Sequence, residues 1–364
     1  MMFIFNKNTN LTLITFFILI LSCSNDYSKK VQFQEVKAPN LNDYNDKKIE
    51  NPENKDIKSS QEPIKLKSPT PIDEVEPISV SPKQNSYDNE KTSVPINLKV
   101  NSILPKPEHI VVVILENHAY EQIIDDSAAP YINEISRYGA VFTESYGLTH
   151  PSQPNYLMLF SGSNHGIFND EYPKNIPFST PNLASYLIKN KNTFIGYSED
   201  LPSVGFTGAK SGQYASKHSP WVYWQGEGEN RLSSEVNRPF SDFPSDFTKL
   251  PDVAFVIPNL DNDMHNGIFN GIIKTGDKWL RNNLDSYIKW AKNNNSLFIL
   301  TFDEDNYLHK NNIATVFIGE SVKAGRYDNK INHYNLLRTI EDIYQLPYAG
   351  ESANSNPITN CWNL

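Results

Sequence analysis

Continuous apolar runs of strand length recur along the chain from residue 110 onwards. They lie at residues 110–115, 192–197, 253–257, 296–302 and 314–318. Such runs are typical of strands that are buried on both faces, because a strand with one face in water alternates apolar and polar residues. We therefore predict that these segments form one sheet that other elements cover on both sides.

Segments with helical spacing separate these runs. They lie at residues 129–138, 181–189, 277–293 and 334–344. In the third segment the apolar residues recur on one helical face, which predicts core packing; they are Trp279, Leu280, Leu284, Tyr287, Ile288 and Ala291. Strands that alternate with helices predict an α/β fold, namely a doubly wound, mostly parallel sheet with helices on both faces.

The first 23 residues resemble a bacterial export signal. Lys7 precedes an apolar run at residues 11–21, and a small residue, Ser22, stands directly before Cys23. The run is shorter than the roughly 20 residues that a membrane span needs. We predict cleavage before Cys23 and its acylation, so that the protein is exported and anchored by lipid at the outer membrane or cell surface. The alternative is an ordinary secretory signal in which Cys23 is incidental.

Polar and charged residues with scattered prolines fill residues 24–105, which predicts a disordered tether before a catalytic domain at residues 106–364. The whole chain has 364 residues and a formal net charge of −9. An acidic chain of this kind offers no basic footprint for nucleic acid, so we expect no nucleic-acid partner. We expect a monomer. Only Cys23 and Cys361 are cysteines, so no disulfide framework is predicted.

Carboxylates, amides and imidazoles follow three of the predicted strands. Glu116-Asn117-His118 follows the first, residues 259–265 follow the third, and Asp303-Glu304-Asp305 follows the fourth. Ligand sites of open α/β sheets lie beyond the carboxyl ends of the strands, where such side chains can converge on a metal ion. A cap or turn is the alternative interpretation of any one of these clusters.

A fourth polar cluster surrounds Ser152. Pro151 and Pro154 fix the backbone on both sides of this serine, and the apolar residues that follow Asn155 predict the start of a helix. The amino end of a helix attracts anions such as phosphate, so the position suits a nucleophile that attacks phosphorus. The alternative is that Ser152 only caps the helix.

Together these clusters resemble the bacterial phosphoesterase family of acid phosphatases and phospholipase C enzymes, within the alkaline phosphatase superfamily. The resemblance covers about residues 106–346 and includes residues 259–267 and the segment 332–342 around His333. It also extends to nucleotide pyrophosphatase/phosphodiesterase enzymes, in which the nucleophile stands three residues before an Asn. By this resemblance Ser152 is the nucleophile, Asn155 holds a phosphoryl oxygen, and His165 is structural.

The resemblance further implies up to two divalent cations. The first would be held by Glu116, Ser152, Asp303 and Glu304, with Asn117 as a ligand or a phosphate-binding residue. The second would be held by either Asp261 or Asp263, together with His265 and His333. His265 is also the expected base for the water that releases phosphate. Because Glu116 and Glu304 add hard oxygen ligands, calcium, magnesium and manganese are as plausible as zinc.

The segment 198–246 has no strand or helix period, and it contains Glu199, Trp221, Tyr223 and Trp224. It is either a substrate lid, with Glu199 in contact with substrate, or a loop whose aromatic residues pack onto the sheet. Overall we predict metal-dependent hydrolysis of small phosphomonoesters through a phosphoserine intermediate. A phospholipase C or other phosphodiesterase is the first alternative, and a non-catalytic surface-binding lipoprotein is the second.

Overall fold

The computed structural model describes residues 104–267 and 270–363. The predicted export signal with Cys23 lies outside the described residues, as does the predicted tether up to residue 103, so both stay predictions. No helix in the described ranges combines the length and the apolar character that a membrane span requires.

An eight-stranded sheet forms the centre of the described domain, in the order β11-β2-β10-β9-β1-β8-β4-β7. Only β10 runs against its neighbours, whereas the other pairs are parallel. The strands are β1 (His109–Leu115), β2 (Ala140–Phe142), β4 (Phe194–Ser198), β7 (Asn237–Pro239), β8 (Val253–Ile257), β9 (Ser296–Phe302), β10 (Thr315–Gly319) and β11 (Gly325–Tyr327). The predicted mostly parallel α/β sheet is confirmed.

Four short strands form two further pairs outside this sheet. Strand β3 (Ser145–Tyr146) pairs with β12 (Ile331–Asn332), and β5 (Lys210–Ser211) forms a hairpin with β6 (Tyr214–Ala215). These strands are too short to leave a periodic signal in the sequence, so none of them was predicted. The same holds for β2, β7 and β11 of the main sheet.

Helices cover both faces of the sheet, and they are α1 (Tyr120–Ile123), α2 (Pro130–Ser136), α3 (Ser152–Ser161), α4 (Leu183–Lys189), α5 (Asn270–Ala291) and α6 (His333–Ile343). Val112 of β1 points into a core shared with α3, α4 and α6, whereas Val111 points into a core shared with α2 and α5. Both valines are fully buried, which explains why β1 is a continuous apolar run in the sequence. Helix α5 begins before the predicted residue 277.

The segment 198–246 contains 3₁₀ turns and short strands, and Trp221, Tyr223 and Trp224 in it are core residues. Trp221 and Trp224 are fully buried and pack against Phe160 of α3. Trp221 also donates a hydrogen bond from Nε1 to Asn237 Oδ1, at 2.8 Å. Of the two interpretations of this segment, packing therefore describes the two tryptophans.

Candidate active site

The polar clusters after the three central strands meet at one edge of the sheet. Strands β9, β1 and β8 are neighbours in that order, and Asp303, Glu116 and Asp263 follow them. The backbone N–H of Glu116 donates to the Asp263 carbonyl at 2.7 Å, and the Asn117 N–H donates to Asp303 Oδ1 at 3.1 Å. The convergence that the sequence predicted is therefore present, and all three carboxylates are buried.

Ser152 lies against this carboxylate cluster at the first residue of α3. Its Oγ donates to Glu116 Oε2 at 3.0 Å, and Asn117 Nδ2 donates to the same oxygen at 3.2 Å. The Tyr156 hydroxyl donates to the other oxygen, Oε1 of Glu116. Glu116 therefore joins the end of β1 to the start of α3 and fixes where the serine oxygen lies.

His218 lies in this cluster, and the sequence analysis did not name it. It ends a 3₁₀ turn, Ser216–His218, and is almost fully buried. Its Nε2 lies 3.3 Å from Glu116 Oε2, its Nδ1 lies 3.2 Å from Asp263 Oδ2, and its ring stacks on Tyr156. The segment around it has no regular period, so only its place just before the buried aromatic run hinted that it points inward.

Several polar atoms in this cluster have no hydrogen-bond partner although they are buried. They are His218 Nε2, Asp263 Oδ2 and Asp303 Oδ2. Burial, reinforced by the charges of Asp303 and Asp263, raises the pKa of Glu116 well above its ordinary value. Burial also raises the pKa of Asp303 to about 7. Buried unpaired polar atoms and closely spaced carboxylates both cost free energy, and a bound cation would reduce both costs.

The side chains present fit such a cation. One ligand atom from each of Glu116, His218 and His265 lies within 4.8 Å of the others. Burial lowers the pKa of His218 well below its ordinary value, with a smaller contribution from the charge of Lys217. A neutral imidazole can act as a metal ligand, so this group combines carboxylate and imidazole ligands.

A positive side chain, Lys217, also faces the cluster. Its Nζ lies 2.6 Å from Asp170 Oδ2 and 3.3 Å from His265 Nε2. Asp170 Oδ1 also accepts the backbone N–H of Gln153, at 3.0 Å, next to the nucleophile position. Burial opposes the charge of Lys217, but Asp170 and the Glu116 carboxylate together raise its pKa. Lys217 therefore stays positive beside Ser152.

Glu304 and Asn155 lie on the other side of Ser152. Asn155 Nδ2 donates to Glu304 Oε2 at 3.0 Å, and Asn155 Oδ1 accepts the N–H groups of Leu148 and Thr149 at 3.0 and 3.1 Å. His150 Nδ1 lies 3.1 Å from Glu304 Oε2. Burial and the charge of Asp303 raise the pKa of Glu304 to about 9. Asn155 thus fixes the loop before α3, and its contact with a phosphoryl oxygen stays a prediction.

The remaining predicted residues lie further from this centre. His333 is buried, and its Nε2 lies 2.6 Å from the backbone carbonyl of Asp303. Asp261 is exposed and accepts a hydrogen bond from Asn266, so of the two alternatives Asp263 is the one at the cluster. The structure therefore brings Asp263 and His265 to the site, and it does not place His333 in the group of closest ligand atoms.

Glu199 follows β4 and supports the loop that carries Asp263. Its carboxylate accepts the Asn259 N–H at 2.9 Å, the Asn262 side-chain amide at 3.0 Å and Trp279 Nε1 at 2.9 Å. These donors use both oxygens. Contact with substrate stays a prediction for Glu199, whereas its contacts within the protein are structural.

Comparison with known proteins places this geometry in a family context. The sequence profile of the Phosphoesterase family matches residues 123–347. The phosphatidylinositol-3-phosphatase of Mycobacterium tuberculosis is 44% identical over 263 residues, which cover 72% of this chain and 85% of the relative. An acid phosphatase of Aspergillus fumigatus is 33% identical over 258 residues. That match covers 65% of this chain and 55% of the fungal protein, so the chain spans just over half of that relative.

A solved structure shares the fold at much lower sequence identity. A crystal structure of an alkaline phosphatase superfamily protein from Vibrio parahaemolyticus aligns with a TM-score of 0.50 and 12% identity. The alignment covers 70% of this chain and 71% of that one. At this identity the likeness concerns the fold, and it agrees with the mostly parallel sheet.

Proposed function

This chain belongs to the phosphoesterase family, and we propose that, as a phosphoric ester hydrolase, it cleaves small phosphomonoesters with Ser152 as the nucleophile beside a divalent cation. The observation that carries the proposal is the position of the serine oxygen. Ser152 Oγ lies 3.0 Å from Glu116 Oε2, at the amino end of a ten-residue helix, within a group of buried and partly unpaired ligand atoms. A hydroxyl that only capped the helix would not need buried carboxylates around it.

Glu116 and His218 would hold the cation, together with the unpaired buried oxygens of Asp263 and Asp303. His265, whose ligand atom also lies within 4.8 Å of those of Glu116 and His218, would stay free of the cation and face the attacking water, and Asn117 and Glu304 lie next to the group. A cation there would stabilise the serine alkoxide and the negative charge that develops on the phosphoryl oxygens. The pKa directions of the carboxylates support this assignment, since without a cation burial favours the protonated forms of all three, and repulsion adds to this for Glu116 and Asp263. The candidates for this divalent cation are zinc, calcium, magnesium and manganese.

Ser152 attacks phosphorus in line with the leaving oxygen, so that an Oγ–P bond forms as the bond to the leaving group breaks. The Ser152 proton passes through solvent to the leaving oxygen. Lys217 offers its charge to the equatorial phosphoryl oxygens. Burial, followed by the charge of Lys217, lowers the pKa of His265, so its neutral ring can accept a proton from water at neutral pH. That water then breaks the Oγ–P bond, and Ser152 recovers its proton.

A monoester preference agrees with the lining of the site. The tryptophans that could have formed an apolar pocket for a second ester group are buried in the core. The side chains beside Ser152 are instead Lys217, Asp170 and His265, which suit a charged phosphate and a polar leaving group. The name of the mycobacterial relative suggests a phosphorylated inositol headgroup as one substrate to test. Phosphodiesters are the alternative substrates.

The test is hydrolysis of p-nitrophenyl phosphate and of its bis ester, with and without a chelator. Ser152→Ala should lower kcat/KM by about a thousandfold or more, because removal of a covalent nucleophile costs more than loss of one binding contact. Ser163→Ala, on the loop after α3, is the matched control and should keep full activity. Acid quenching during turnover should trap phosphate on Ser152.

Particular outcomes would reject parts of this proposal. A Ser152→Ala variant that retains more than about one-hundredth of the activity would remove the nucleophile assignment. A chelated protein that is fully active and free of metal by elemental analysis would remove the cation. A diester preference of about tenfold or more, worth about 1.4 kcal/mol, would favour the phosphodiesterase alternative.

We further propose that Cys23 carries a lipid anchor and that the protein is exported. The support is the sequence pattern alone: an apolar run at residues 11–21 followed by Ser22 and Cys23. Mass spectrometry of the membrane fraction should find a mature amino terminus at Cys23 with acyl chains attached. A chain that keeps Met1, or an unmodified Cys23, would reject the anchor without affecting the enzymatic proposal.

A further inference from the structure

A cavity of about 280 Å³ opens beside the site. Its lining includes Gln153, Tyr172, Lys210, Lys217, His265 and Asn266. Lys217 and His265 belong both to this cavity and to the group around Ser152, so a substrate that places its phosphorus at Ser152 can extend into the cavity. The volume is just below the roughly 300 to 1,000 Å³ of drug-sized pockets, which suits a compact leaving group.

The two lysines of the cavity differ in their partners. Lys217 pairs with Asp170 at 2.6 Å. Lys210 is exposed, and no acidic side chain within residues 104–267 and 270–363 forms an ion pair with it. The cavity therefore has one positive charge that the protein does not neutralise.

Backbone pairing fixes Lys210 at this place. It pairs with Ala215 across the β5–β6 hairpin, and the Ser216 N–H donates to the Ala209 carbonyl at 3.0 Å. The Tyr172 hydroxyl donates to the Thr207 carbonyl at 2.6 Å, which joins the hairpin to the opposite wall of the cavity. The same short segment therefore carries both Lys210 and Lys217, and their spacing is set by the hairpin.

We propose that this cavity is the leaving-group subsite and that Lys210 pairs with a second phosphate group on the leaving group. The preferred substrates would then be phosphomonoesters that carry another phosphate, either as a second monoester on a small molecule or as the diester of a lipid headgroup. This inference rests on the proposed phosphomonoesterase activity. It goes further because it names a residue outside the catalytic group that selects among phosphomonoesters.

The experiment compares substrates that carry a second phosphate with substrates that lack it. The soluble pair is propane-1,3-diol bisphosphate and propyl phosphate, and the lipid pair is short-chain phosphatidylinositol 3-phosphate and inositol 3-phosphate. Lys210→Gln should lower kcat/KM about fivefold for the doubly charged member of at least one pair, the scale of an exposed ion pair, and by less than about twofold for the other member. The pair that responds identifies the source of the second phosphate.

Two lysine variants serve as controls. Lys210→Arg should keep the wild-type preference, because it keeps the charge. Lys278→Gln removes an exposed lysine of α5 and should change neither ratio. About 0.5 M salt should reduce the Lys210 effect, because the Debye length then falls to a few ångströms. Equal losses on both members of each pair, or no loss on any, would overturn the proposal.

A binding measurement separates this inference from the proposed activity. Propane-1,3-bisphosphonate is not hydrolysed, and its affinity for the metal-loaded protein can be measured by calorimetry with propylphosphonate as the reference. Lys210→Gln should weaken the bisphosphonate about fivefold and leave propylphosphonate unchanged. A protein that hydrolyses no phosphomonoester but still shows this difference would contradict the activity and keep the subsite. Equal binding in the two proteins would reject the subsite even if monoesters are hydrolysed.

Discussion

Buried carboxylates lie both on the helices and at the strand ends of this domain, and the two groups differ in their hydrogen-bond partners. On the helices, Asp277 accepts the N–H groups of Tyr131 and Ile132 at 3.0 and 2.8 Å. Glu341 accepts the Ala349 N–H at 2.8 Å and the Ser352 hydroxyl at 2.6 Å. Both oxygens of each group have a donor. Each of these carboxylates therefore serves the fold, by holding a helix start or a terminal loop.

At the strand ends the pairing is incomplete. Asp263 Oδ2 and Asp303 Oδ2 are buried without a hydrogen-bond partner. His218 Nδ1 lies 3.2 Å from Asp263 Oδ2, and the charge of Asp303 acts on Asp263. An unpaired buried acceptor costs free energy, and nearby like charges add to the cost. The donors to Asp277 and Glu341 show that this fold can satisfy both oxygens of a buried carboxylate. The difference indicates that the strand-end group is arranged for a ligand and not for stability.

The largest expected effect that tests this comparison is at Asp303. Asp303→Asn keeps an oxygen that can accept the Asn117 N–H but removes one negative charge from the cluster. We expect kcat/KM to fall about a thousandfold, the upper range for loss of one electrostatic contributor in an active site. The thermal midpoint without added metal should stay the same or rise, because one repulsion is gone. A clear loss of stability would mean that Asp303 is structural, like Asp277.

His218 should show the next largest effect. It lies between Glu116 and Asp263 without hydrogen-bond geometry at Nε2, so its replacement removes a ligand or phosphate contact. His218→Ala should lower kcat/KM about a hundredfold, as for other groups that act on the reacting centre. His309→Ala is the control, because His309 pairs on the surface with exposed Glu121. Similar activity of the two variants would leave His218 as a packing residue.

Sequence reasoning predicted the parts of the site that follow from regular strands. Glu116 and Asp303 stand directly after long apolar runs, so the ends of β1 and β9 were defined and their convergence followed from the parallel sheet. His218 and Lys217 come from a segment of 3₁₀ turns, where no period reports direction. Asp170 was missed because its contacts to Gln153 and Lys217 join residues that are distant in sequence. Long-range placement of loops is not encoded in a local pattern.

Asp277→Ala should affect stability and not catalysis. The change leaves the N–H groups of Tyr131 and Ile132, in the first turn of α2, buried without an acceptor. We expect the free energy of unfolding to fall by about 1 to 3 kcal/mol, the usual cost of unsatisfied buried groups. Urea unfolding measures it, and kcat/KM below the unfolding range should equal that of the wild type. Lost activity in a folded variant would contradict the assignment of Asp277 to stability alone.

The last effect concerns the pH dependence of stability at Glu341. Burial raises the pKa of this group to about 7, whereas an ordinary glutamate titrates near 4.5. The folded state therefore holds a proton that the unfolded chain releases, so the contribution of Glu341 to stability is complete below about pH 4.5 and is lost as the pH rises through 7. Glu341→Gln cannot titrate, and its amide can donate to Ser352 Oγ, which also contacts the Ala349 carbonyl. The wild type should thus lose stability relative to this variant between about pH 5 and pH 8 in urea unfolding, by about 1.4 kcal/mol for each pH unit that separates the folded pKa from the unfolded one. The strand-end carboxylates titrate equally in both proteins, so their effect cancels in the difference between the two stability curves. Parallel curves would contradict the prediction, because they would show that Glu341 is ionised in the folded state and that its hydrogen-bond donors outweigh the effect of burial on its pKa.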